Sequence, residues 1–185
     1  MSSLTFNSDP ELKALFVKQA NEHLDQDKLL KGTYAKLLYD DFTGKMKFKG
    51  CSVGCFARDV TNNITSRKTY VGSPHEIVSN FYHLPLWLIE FQDFIFEYLP
   101  KPEHINWHVE FSESIPVGAD NDDLYAKFTA RLFDEFEFVF ANQLIGISSI
   151  TRFILKGDVE DIYRNVRKLR AILLNVLRSE ITNEA

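Results

Sequence analysis

Asp158-Val159-Glu160-Asp161-Ile162-Tyr163-Arg164-Asn165-Val166-Arg167-Lys168-Leu169-Arg170-Ala171-Ile172-Leu173-Leu174-Asn175-Val176-Leu177 is the most regular stretch of the chain, and its reading sets the fold class. Val159, Ile162, Tyr163, Val166, Leu169, Leu173, Val176 and Leu177 recur at steps of three and four, the period of one helix face. Asp158 is placed to cap the helix, and Gly157 breaks whatever precedes it. Arg164, Arg167, Lys168 and Arg170 then form its solvated side.

Working outward, the same period returns. Leu124, Phe128, Leu132, Phe136, Val139, Phe140 and Leu144 make an apolar line in a helix capped by Asp120 or Asn121 and ended at Gly146, with a short helix reaching Lys156. Pro85 starts a helix that runs to Leu99, and Pro100 and Pro102 separate it from another over Glu103 to Ser112. Ser73-Pro74-His75-Glu76 is a capping box that opens a short helix. At the N-terminus Ser8 is the expected cap, with Pro10 in the first turn, Glu11 completing a capping box, and Leu12, Leu15, Phe16, Ala20 and Leu24 following before Gly32. Residues 60–72 read as a loop. Leu37-Leu38-Tyr39 and Lys45 to Phe48 flank Asp41-Phe42-Thr43-Gly44, which suits a small hairpin. The expectation is a mainly α, single-domain helical bundle over residues 1–185, with a minor β-hairpin near residues 37–49.

Composition agrees with one packed unit. A chain of 185 residues, 45% hydrophobic and with sixteen Phe, has enough apolar side chain for a core without disulfide or metal support. The net charge of −5 opposes non-specific nucleic-acid binding, where a basic face supplies the affinity. The most apolar segment, Leu84 to Leu99, is interrupted by Glu90, Gln92 and Asp93, so no membrane association is expected. Two cysteines behind a start that lacks a secretory pattern read as reduced thiols in the cytosol.

Two short signatures carry the candidate chemistry: Lys49-Gly50-Cys51-Ser52-Val53-Gly54-Cys55 and Ile115-Pro116-Val117-Gly118-Ala119-Asp120. If Gly50 caps a helix, Cys51 lies in its first turn beside Lys49, where the helix dipole lowers a thiol pKa. The same N–H groups could cradle an anion, with Gly50 and Gly54 letting its atoms approach. Cys51 or Cys55 with His75 as base and Asp120 as orienter would make a thiol nucleophile. Equally, free cysteines are often small buried hydrophobes. Cys51-x3-Cys55 with His104-x3-His108 formally matches a two-plus-two zinc pattern, yet the pairs are far apart in sequence; no metal and no cofactor are expected. Glu90, Asp93 and Glu97 form one stripe on the helix from Pro85, either solvated or the acidic wall of a pocket.

These blocks have a familiar order. Lys49-Gly50-Cys51-x-Val53-Gly54-Cys55, His75, Pro85-x-Trp87-Leu88, Asp93-x-Ile95-Phe96-Glu97-x-Leu99-Pro100 and Trp107-x3-Phe111-x3-Ile115-Pro116-Val117-Gly118-Ala119-Asp120 together resemble a family of uncharacterised proteins from bacterial and phage genomes. The resemblance covers about residues 47–133 and brings Cys51, Cys55, His75, Glu97 and Asp120 into shared blocks. His104 and His108 match nothing in it, and Phe56-Ala57-Arg58 stands where the family has a Thr-Leu-His run. It implies positions and no chemistry.

The function expected from the sequence is a helical domain that binds a small anion or nucleotide. Its pocket is built from both signatures, with Lys49, Gly50, Cys51, Gly54, Cys55, Glu97, Gly118 and Asp120 as contacts. A thiol-dependent enzyme using Cys51 or Cys55, and a phage-derived protein-interaction factor, are the rival readings.

Overall fold

The computed structural model describes residues 3–63, 72–136, 154–155 and 157–182. Its elements in order are α1 (Pro10–Asp25), β1 (Lys36–Asp40), β2 (Lys45–Lys49), α2 (Ser52–Asn63), α3 (Pro74–Tyr82), α4 (Leu86–Tyr98), α5 (Glu103–Ser114), α6 (Asn121–Phe136) and α7 (Val159–Thr182). The protein is mainly helical, with one antiparallel hairpin in which Leu37 faces Phe48 and Tyr39 faces Met46. Asp40 closes that hairpin by accepting the Phe42 and Thr43 N–H groups, and Gly44 takes the left-handed conformation the turn needs. The apolar line from Val139 to Leu144, its end at Gly146 and the short helix to Lys156 lie outside the described residues.

α4 is the hub. It packs against α2, α3, α5 and α7, and Leu88, Ile89, Phe91, Gln92, Asp93, Ile95 and Phe96 are all buried. A helix apolar on nearly every side has to sit inside, and the polar Gln92 and Asp93 are carried in with it. Aromatic rings fill the space around it. Phe16 of α1 stacks on Phe56 of α2 at 4.2 Å, with Tyr82 of α3 edge-on at 4.6 Å. Trp87 of α4 stacks on Phe128 of α6 at 5.3 Å. Each such side chain withdrawn from water contributes about 1.5–3 kcal/mol.

Two helix ends differ from the sequence reading. Asp9, not Ser8, caps α1 by accepting the Glu11 N–H, and Ser8 belongs instead to a turn with positive φ at Phe6, Asn7 and Ser8. That strained turn drives Phe6 into full burial against Phe16, which offsets its cost. α1 also ends at Asp25 rather than at Gly32, because the chain leaves the helix to run beside the first signature. Residues 60–63 of the expected loop belong to α2, which continues to Asn63, and residues 64–71 lie outside the described residues. The capping box at Ser73 and Glu76 forms as read, and Asp120 and Asp158 cap α6 and α7 through the N–H groups that follow them.

The segment 28–34 is stitched to the first signature. Leu30 N donates to Gly50 O at 2.7 Å, Gly50 N to Lys28 O at 2.9 Å, and Cys51 N to Thr33 O at 2.6 Å. Gly50 and Gly54 permit this. A Cβ on Gly54 would lie 1.8 Å from the Tyr34 carbonyl oxygen and 2.6 Å from its carbon; on Gly50 it would lie 2.3 Å from the same oxygen. The glycines do allow a close backbone approach, and the backbone that approaches is the chain's own. Gly54→Ala is therefore expected to force the two backbones apart and destabilise the fold by about 1–3 kcal/mol, or roughly 2–12 °C in Tm. Thermal unfolding of the variant checks this, and an unchanged Tm would contradict the packing described.

Candidate functional site

The loop held over the first signature completes a cleft of about 210 Å³ lined by Gly32, Thr33, Tyr34, Cys51, Asp93 and Glu97. Cys51 stands one residue before α2, and its Sγ accepts the Gly54 N–H at 3.4 Å. It takes the place of a capping side chain. Asp93 and Glu97 are one turn apart on α4, so they share a face. Cys51 Sγ and one oxygen from each of these carboxylates lie within 4.8 Å of one another.

Each carboxylate is held by one oxygen. Glu97 Oε2 accepts the Gly32 N–H at 2.8 Å. Asp93 Oδ2 lies 3.1 Å from His75 Nε2, and His75 Nδ1 is 3.4 Å from the Tyr34 hydroxyl. With the Asp93 carboxylate ionised, this is one directed chain: Tyr34 O–H donates to His75, and His75 N–H donates to Asp93. The other oxygen, Asp93 Oδ1, is buried with no hydrogen-bond partner, in a residue only 8% exposed. Such an orphan normally costs about 1–3 kcal/mol, more when charged.

The electrostatics follow from crowding. Burial pushes the Cys51 thiol well above its ordinary range; the Asp93 and Glu97 charges and a thiol hydrogen bond to the Asp93 carboxylate push the same way, against the Gly54 N–H. Burial likewise raises Glu97, with Asp93 adding to it and the Gly32 N–H and Lys31 opposing. The expected lowering of the Cys51 pKa is thus reversed. The thiol is buried among carboxylates, and the Lys49 ammonium turns to Asp27, 2.6 Å away.

Other candidates fall elsewhere. Cys55 points from α2 toward the carbonyls of Lys28 and Gly50, and burial, aided by Asp59, pushes its thiol up to about 12. His75 pairs with Asp93, so among the described residues it serves neither cysteine as a base through Asp120. Gly118 and Asp120 grip the N-terminus. Thr5 N donates to Ala119 O at 2.9 Å, Gly118 N to Thr5 O at 3.0 Å, and Thr5 Oγ1 both donates to Pro116 O and accepts the Ala119 N–H. Gly118 has φ +79 and packs on Ser8. The second signature contributes nothing to the lining of the cleft. His104 and His108 stay apart from both cysteines as a metal set, since Cys51, Asp93 and Glu97 are the group found among the described residues.

Sequence reasoning missed Gly32, Thr33 and Tyr34. Gly32 reads as the end of the first helix, and no periodic or motif signal marks Tyr34, whose place depends on two glycines sixteen and twenty residues later. Gly32 alone carried a usable sign, as a glycine, and in the structure it takes the left-handed φ of +77 that glycine permits.

No family model, no curated protein and no solved structure matches the chain. The site therefore has to be read from its own geometry. Both thiols are buried and held protonated, so iodoacetamide at neutral pH is expected to label Cys51 and Cys55 slowly in the native protein and rapidly only after denaturation. Mass spectrometry of the labelled chain checks this. Fast, selective labelling of Cys51 below pH 7.5 would restore the thiol-nucleophile reading.

Proposed function

We propose that this protein binds a small cation in the cleft between Cys51, Asp93 and Glu97. The observation that carries the reading is the Asp93 carboxylate, taken into the core with one oxygen left unpaired beside a second carboxylate and a thiol. Burying an anion is costly unless a positive partner meets it. Lys31, whose charge acts on Glu97, donates its Nζ to Leu99 O at 2.7 Å.

The anion or nucleotide expected from the sequence is a poorer occupant. Two carboxylates wall the cleft, and the anion-attracting parts of the signature are spent: Lys49 on Asp27, and the Gly54 N–H on Cys51 Sγ. Its volume is also below the roughly 300–1,000 Å³ of drug-sized ligand sites. An ion with one or two waters suits it better. A thiol-dependent enzyme finds no support in a cysteine whose proton is held by its surroundings.

The test is thermal unfolding of the full chain with a panel of divalent chloride salts, inorganic phosphate and AMP. A cation at a hundredfold excess over its Kd stabilises by about 2.7 kcal/mol, worth roughly 2–4 °C per kcal/mol in a chain of this size. Phosphate and AMP are expected to leave Tm unchanged, and Asp93→Asn to remove the cation response. Stabilisation by phosphate or AMP, with none by any cation, would overturn the reading.

A further inference from the structure

Resting on that cation reading, the geometry points to a thiophilic divalent metal of the zinc class, bound by Cys51 Sγ, an oxygen of Asp93 and an oxygen of Glu97. Three protein ligands are present, of which one is sulfur. Hard cations such as calcium and magnesium take oxygen donors and gain nothing from a thiolate; zinc and its neighbours take mixed sulfur and oxygen sets.

The distances allow it. In a tetrahedral site with metal–sulfur and metal–oxygen lengths of about 2.3 and 2.1 Å, sulfur and oxygen stand about 3.6 Å apart. The three donor atoms are already within 4.8 Å of one another, a little beyond that separation, and closing the site calls for them to draw together by roughly an ångström. Cys51 would bind as thiolate, its proton leaving to solvent while the metal replaces it at sulfur.

The surrounding shell is arranged as metal sites require. Ligating groups are usually fixed by outer hydrogen bonds that set their orientation and basicity. Here the Gly54 N–H meets Cys51 Sγ, the Gly32 N–H meets Glu97 Oε2, and His75, backed by Tyr34, meets Asp93 Oδ2. His75 is thus a positioning residue. A buried, unpartnered carboxylate oxygen is the independent mark that separates this group from an ordinary acidic patch. Cys55 takes no part, since its sulfur faces the carbonyls of Lys28 and Gly50. Three protein ligands would leave one tetrahedral position unfilled, the pattern of sites that present a bound water or substrate rather than of closed structural sites.

The experiment is titration of the metal-free full chain with Co²⁺ followed by absorbance, and with Zn²⁺, Mg²⁺ and Ca²⁺ by calorimetry. Expected are one Co²⁺ per chain with an intense thiolate-to-metal charge-transfer band, displacement by Zn²⁺, and no competition from Mg²⁺ or Ca²⁺. Cys51→Ser is expected to abolish the band; serine is itself a good helix cap, so α2 keeps its start. His75→Gln is expected to keep the band and weaken Zn²⁺ binding roughly 10–100-fold. If Mg²⁺ or Ca²⁺ binds as tightly as Zn²⁺ and Cys51→Ser changes nothing, the site is an all-oxygen one: the zinc-class inference falls and the cation reading stands. If no cation binds the wild-type chain, both fall.

Discussion

The carbonyl of Tyr34 rests in the space that a side chain on Gly54 would fill, and much of the cleft's geometry depends on that contact. Because two glycines present bare backbone there, the segment 28–34 can lie against residues 50 and 51 and bond to them at 2.6–2.9 Å. From that position Gly32 reaches Glu97 at the far end of α4, and the Tyr34 hydroxyl reaches His75 at the start of α3. One close approach therefore ties the loop after α1 to α2, α3 and α4 at once. The signature Lys49-Gly50-Cys51-Ser52-Val53-Gly54-Cys55 forms a backbone junction that sets one buried sulfur at the wall of the cleft.

Beneath the junction a second network fixes where that sulfur points. Gln92 Nε2 donates to Ser52 Oγ, Ser52 Oγ to His108 Nδ1, His108 Nε2 to His23 Nδ1 at 3.0 Å, and His23 Nε2 to Asp59 Oδ2 at 2.9 Å. Every step runs in the same direction when each ring accepts at Nδ1 and donates at Nε2; burial and the neighbouring His23 push the His108 imidazole well below its ordinary range. The chain crosses α4, α2, α5 and α1, so it locks four helices in register. It also has a local effect. Ser52 and Gln92 are the sequence neighbours of Cys51 and Asp93, and their hydrogen bond brings those two cleft residues together. Polar groups inside a core are costly unless paired, and here the pairing doubles as alignment for the site.

How much of this was legible in the sequence divides along physical lines. Elements set by short-range rules could be read: the 3.6-residue period of α7, the capping box of Ser73 and Glu76, and the turn of Asp41 to Gly44 between two strands all formed. Helix ends set by tertiary contacts could not. Ser8 was the natural cap by residue type, yet the N-terminal segment is drawn to the Ile115–Asp120 loop by the Thr5 hydrogen bonds, and Asp9 takes over. The two signatures stand apart in the sequence, but glycine in a loop has the same appearance whether a ligand or another strand of backbone approaches it. Asp93 and Glu97 were visible as a stripe; that Asp93 is buried and Glu97 faces Cys51 depends on which side of α4 meets α2, which no local pattern encodes.

That ambiguity bears on how the cleft is to be understood. A folded chain seldom keeps three anion-forming groups within 4.8 Å of one another with an unpaired buried oxygen among them, because mutual repulsion and desolvation act in the same direction. Elsewhere among the described residues several carboxylates meet cations: Arg167 faces Glu103, Arg170 and Arg178 face Glu110, and Lys127 faces Asp123 and Glu180, although Gln92 Oε1, His104 Nδ1 and Asn121 Oδ1 are also buried without a hydrogen-bond partner. Even the interior His–Ser–Gln chain ends on a carboxylate that is hydrogen-bonded. In the cleft His75 holds Asp93 Oδ2, the Gly32 N–H holds Glu97 Oε2 and the Gly54 N–H meets the Cys51 thiol sulfur, while Asp93 Oδ1 accepts no N–H or O–H. On the cation reading proposed above, a bound ion would offset the crowding of Asp93, Glu97 and Cys51.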